Sequence, residues 1–143
     1  MGPLMASIRV MALAAIVTAA GTATSDPMTD TLNILSALLT VGFGLFGFLA
    51  PRYTASALDL APTTSTMGLS EMRASVGGLF VVAGLAAIWL GEPLAYAMIG
   101  FAFAGAALGR VLSLVFDKPP LRKVLVFGGI EAALALWMIG ANI

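Results

Sequence analysis

Glu131 lies near the middle of a long apolar run, between Gly128-Gly129 and Leu134. If that run crosses a bilayer, an unpaired carboxylate there costs on the order of 3 kcal/mol or more, so it must face the protein interior and meet a partner. Counting identifies the partner. Glu131 is ten residues past Leu121, and Arg110 is eight residues before Lys118. At 1.5 Å per helical residue the two lie about 15 and 12 Å from the same turn. On antiparallel neighbours they share a depth, so an Arg110–Glu131 ion pair is expected. Glu71 and Arg73 open another apolar run on the same side. Two acids and two bases could thus line one half of a bundle with their charges cancelled. One chemistry for such a set is a polar pocket that holds a lipid headgroup or a small polar molecule, or passes a proton through Glu131. The plainer alternative is that the pairs fix helix register, with Arg110 reaching towards water.

Most other site chemistry is excluded by composition. The chain has no Cys and no His. Disulfides, thiolate or imidazole metal sites, haem ligation by His and triads built on Cys or His are therefore absent. No cofactor and no metal is expected. Lys+Arg and Asp+Glu are 7 each, so no basic excess exists to hold nucleic acid. An enzyme is the least supported class, since only proton transfer by Glu131 could be invoked.

The elements that must position these side chains are apolar. Of 143 residues, 60% are hydrophobic and 10% charged, with a mean hydropathy of +1.04. An average soluble domain is about 45–50% apolar and about 25% charged. Four long runs stand out: Thr31 to Ala50, and roughly Ala74 to Gly91, Leu94 to Phe116 and Val124 to Ala141. Each is near the ~20 residues that span a hydrocarbon core, and none carries a polar stripe at helical spacing. The predicted fold is an all-α integral membrane four-helix up-down bundle over residues 30–143. Gly91-Glu92-Pro93 and Asp117-Lys118-Pro119-Pro120-Leu121 are short connections, and Pro93 suits the first turn of a helix. The stretch from Pro51 to Leu69 reads as a partly membrane-associated loop, with Ser70 as N-cap of the next helix and Glu71 at its positive end.

Residues 1–29 leave three readings open. Arg9 precedes a short apolar run, Val10 to Ala20, followed by small residues, which resembles a signal peptide. The same stretch could be a fifth span, or translation could start at Met28.

Small residues mark helix packing. Gly77 and Gly78, Gly105 and Gly109, and Gly128 and Gly129 let backbones approach closely, within one chain or across a homo-oligomer interface. Trp89, Trp137 and Tyr96 lie near helix ends, as interfacial anchors do. Arg52, Arg73, Lys118, Arg122 and Lys123 gather on one side and Asp26, Asp30 and Glu92 on the other. By the positive-inside rule, loops 51–70 and 117–123 are cytoplasmic.

The segment Ser70-Glu71-Met72-Arg73-Ala74-Ser75-Val76-Gly77-Gly78 resembles the small membrane proteins of the domain of unknown function 4345 family. Their second helix opens on Glu-x-Arg-Ala-x-Tyr-Gly-Gly, matched here by Glu71, Arg73, Ala74, Gly77 and Gly78, with Val76 where the family has Tyr. Further likeness lies in Gly47 and Pro51 at the end of the first helix, Arg110 and Ser113 on the third, and Glu131 on the fourth. The resemblance covers about residues 30–141. It implies a four-helix protein of the bacterial inner membrane with no assigned activity. The expected partners are the lipid bilayer and either a membrane-protein partner or a second copy of the chain. An accessory or assembly subunit of a membrane complex is the first functional reading. A small transporter, or a lipid- or solute-binding protein using Glu71, Arg73, Arg110 and Glu131, is the second.

Overall fold

The computed structural model describes residues 26–61 and 64–143. Five helices account for most of them: α1 (Pro27–Leu49), α2 (Pro51–Ala57), α3 (Met67–Leu90), α4 (Pro93–Phe116) and α5 (Leu121–Gly140). No strand occurs among the described residues. The chain divides into two units, residues 1–30 and residues 31–143. The signal-like and extra-helix readings of residues 1–25 lie outside the described residues.

α1, α3, α4 and α5 are each long and apolar enough to cross a membrane. Their side chains are distributed as a bilayer requires. Leu, Val, Phe and Trp side chains point outward along all four, with Trp89 at 85% exposure, while Asn33 and Thr40 are buried at 2% and 0%. In water this arrangement would be upside down. In hydrocarbon it places polar groups where other protein groups satisfy them. Thr40 donates its hydroxyl to the Ser36 carbonyl at 2.9 Å.

α1 and α3 are antiparallel and touch backbone to backbone. Gly84 meets Ala37 and Val41, Gly44 meets Gly77 and Val81, and Gly77 meets Gly47 and Phe48. The contact positions on α3 (77, 81, 84) recur at helical spacing, as do 37, 41, 44 and 48 on α1, so each helix presents a single seam. A Cβ on Gly77 would fall 2.5 Å from the Phe48 nitrogen, which only glycine avoids. At this crossing α3 leaves α-helical geometry and runs as a π-helix over Met72–Gly78.

The remaining neighbours follow in chain order. Gly91, at φ +66°, ends α3 in the left-handed conformation, and Pro93 opens α4 after a two-residue connection. Phe80 of α3 packs on Phe103 of α4 with ring centroids 5.3 Å apart. α4 and α5 are antiparallel: Gly100 lies against Met138 and Ile139, and Gly128 against Arg110. Asn142, just past α5, closes the ring onto α1 by exchanging side-chain amide hydrogen bonds with Asn33 at 2.7 and 3.0 Å.

Three local expectations are corrected. The Pro51 to Leu69 loop contains the helix α2, started by Pro51 at its first position and ended at Asp59 in a left-handed conformation. α3 begins at Met67 rather than after Ser70, so Ser70 is inside it and Thr66 takes the cap position without a side-chain cap bond. Tyr96 is 5% exposed, in a core with Ile99, Phe103, Leu134 and Met138, and so is no interfacial anchor.

Candidate functional site

The bundle interior is filled at one end and hollow at the other. Around Asn33 and Asn142, the core of Ala37, Ala87, Tyr96, Ile99, Leu134 and Met138 closes the space. Phe103 is the last member of that core and the first wall of a cavity of about 550 Å³. All five helices line it: Phe43 and Phe46 from α1, Tyr53, Thr54 and Ala57 from α2, Val76 and Phe80 from α3, Phe103, Ala106 and Arg110 from α4, and Phe127, Ile130 and Glu131 from α5. Its volume is that of an ordinary small-molecule site, and its walls combine apolar surface with few polar groups.

Arg110 and Glu131 supply the charge. Nε donates to Oε2 at 2.6 Å and Nη2 donates to Oε1 at 2.7 Å, a two-bond fork. Side-chain exposure is 30% for Arg110 and 15% for Glu131. Phe127 lies against the guanidinium, its ring centre 5.3 Å from Cζ. Gly128, one turn before Glu131, leaves room for the Arg110 chain, whose Cδ would be 3.3 Å from a Cβ there. The pair therefore has shape support as well as charge support.

The other two charged candidates are elsewhere, and the four-charge pocket is corrected to a two-charge one. Glu71 is exposed and accepts a hydrogen bond from Ser75 Oγ on its own helix at 3.1 Å. Arg73 is exposed and donates from Nη1 to the Phe48 carbonyl near the end of α1. There a cation meets the negative end of a helix and satisfies one of its unpaired carbonyls. The cause is the seam: Gly77 must face Phe48, so residue 73, one turn earlier, lies over the end of α1. Neither residue lines the cavity.

The glycines also separate. Gly77 is at a backbone contact, Gly78 is in ordinary contact with the Phe48 ring, and Gly128 faces Arg110. Among the described residues, Gly105, Gly109 and Gly129 have no neighbouring side chain or facing backbone within 4 Å of where a Cβ would be, so none of them sits at a close contact there. Gly44, Gly47, Gly84 and Gly100 make further close contacts.

α2 roofs the hollow end. Lys123 of α5 donates to the Ala57 carbonyl at 3.1 Å and pairs with Asp59 at 2.7 Å, tying the end of α2 to the start of α5. Sequence spacing does not connect residue 123 with residues 57–59. Among the described residues no three His, Cys, Asp or Glu side chains gather as metal ligands.

Fold and site together describe a multi-helix protein with four membrane-span-like helices and a charged, aromatic-walled cavity inside. The chain belongs to the family described as domain of unknown function DUF4345, whose model matches residues 28–141. No curated protein and no solved structure matches it.

Proposed function

We propose that this protein sits in a bacterial inner membrane and binds an amphiphilic molecule between its helices. The supporting observation is the cavity itself: about 550 Å³, with five Phe in a largely apolar wall and one ion pair, Arg110–Glu131, as its charged feature. An apolar body fits the walls and a polar end fits the pair. The role is that of a lipid- or solute-binding protein. Carrying the molecule across the membrane would require a second copy, one four-helix chain being small for alternating access.

The test is to fill the cavity. Val76→Trp places an indole in the space lined by Val76, Phe80 and Phe103. Native mass spectrometry of wild-type protein released from its own membrane should show a bound amphiphile. The variant should lose it while keeping its elution volume in mild detergent. A wild-type chain that carries nothing defeats the proposal.

The accessory or assembly subunit remains a second reading, favoured by one observation. Gly105 and Gly109 lie on a part of α4 that no other described helix covers, a surface suited to another transmembrane helix. Gly105→Leu should then shift the protein to a smaller particle. An unchanged particle size would count against this surface as an interface.

A further inference from the structure

The ion pair restricts what the cavity can hold, on the reading that the cavity is a binding site. Arg110 has five N–H donors, and Nε and one Nη2 hydrogen are taken by Glu131. Among the described residues no protein acceptor meets Nη1. Both Glu131 oxygens are engaged by Arg110, at 2.6 and 2.7 Å. Thr54 is committed to the Ala50 carbonyl at 3.2 Å. The site therefore offers donors from Arg110 and the remaining lone pairs of Glu131, Thr54 and Tyr53, in a space whose charges already cancel. A guest anion would leave a net negative charge against largely apolar walls and would compete with Glu131 for the guanidinium. A guest cation would face Arg110. Unpaired charge is expensive there, whereas a neutral acceptor costs little once hydrogen-bonded.

We infer that the cavity selects an uncharged amphiphile: a long apolar chain whose head carries a carbonyl or hydroxyl oxygen that accepts from Arg110 Nη1, beside a Glu131 carboxylate that remains paired. The charge of the head, more than the chain, decides which molecule is kept.

The experiment uses the full chain in nanodiscs of zwitterionic lipid and three probes with the same oleyl chain: monoolein (neutral), oleyl sulfate (anionic) and oleylamine (cationic). Native mass spectrometry reads retained probe. Monoolein should be held about tenfold more tightly than either charged probe. Glu131→Gln leaves the Arg110 charge uncancelled and should turn the preference to oleyl sulfate, and Arg110→Gln should turn it to oleylamine. The wild-type series decides the matter even if neither variant folds. A wild-type preference for a charged probe, or equal retention of all three, overturns the inference and leaves cavity binding intact. Retention no greater than that of Val76→Trp for every probe overturns cavity binding, and this inference with it.

Discussion

Arg110 and Glu131 depend on each other through the two-bond fork. Removing one partner leaves a charge inside the bundle with nothing to cancel it, at a cost of about 3–5 kcal/mol. Arg110→Ala and Glu131→Ala should each lower the midpoint of unfolding in a mixed-micelle titration by that order. The double variant should recover a large part of the loss, because it removes both charges. If the double variant is as unstable as the sum of the singles, the two side chains act independently and the fork does not couple them. The depth of this pair was readable from the sequence, since a helix rises by a constant increment and the short turn between α4 and α5 fixes a common origin. Its fork geometry, the Phe127 face and the open Nη1 were not, because they depend on the rotation of both helices about their axes.

At the scale of the element, the α1–α3 seam is the tightest contact in the fold. Gly77→Ala would put a Cβ against the Phe48 nitrogen and Cα, 2.5 and 2.7 Å away, where neither backbone can yield without parting the helices. A loss of about 1–3 kcal/mol is expected by the same titration. Gly105→Ala should not lower stability, since no described group lies within 4 Å of a Cβ there and alanine favours the helix. Equal effects at the two sites would show that the seam is not a close contact. Both glycines stand in runs rich in small residues, and no local signal in the sequence separates them. The difference arises from which face of each helix the neighbours cover. α2 was missed for a related reason: at seven residues it is too short to show a period, and its position is held by Lys123, which is distant in sequence. The valine at residue 76 also gains meaning only at this scale. It lines the cavity, so a larger side chain at that position would project into that space.

For the molecule as a whole, the orientation follows from the distribution of basic residues. Arg52, Arg73, Lys118, Arg122 and Lys123 fall at the end shared by α2, the start of α3 and the α4–α5 turn, and Glu92 falls at the other end. The hollow half of the bundle should therefore be the cytoplasmic half. The chain has no cysteine, so single cysteines can report sidedness without background. Ser56→Cys in α2 should react with a membrane-impermeant maleimide only after the cells are opened. Glu92→Cys should react in intact cells once the outer membrane is made permeable. The reverse pattern would invert the orientation and move the cavity to the outer half.

By itself the sequence determined the solvent and the spans. A bilayer reads composition over about 20 residues, and four such runs, the last three joined by short connections, leave a helical bundle as the available answer. It also determined that Glu131 needs a partner and at what depth, because burial of charge and helical rise are local physics. Tertiary structure decided which charges meet. Glu71 and Arg73 share a side of the membrane with Arg110 and Glu131, yet the Gly77–Phe48 contact turns Arg73 onto the end of α1. Whether helices fill the space between them or leave a cavity depends on the rotation and offset of each against its neighbours, and those are set by contacts between residues far apart in the chain.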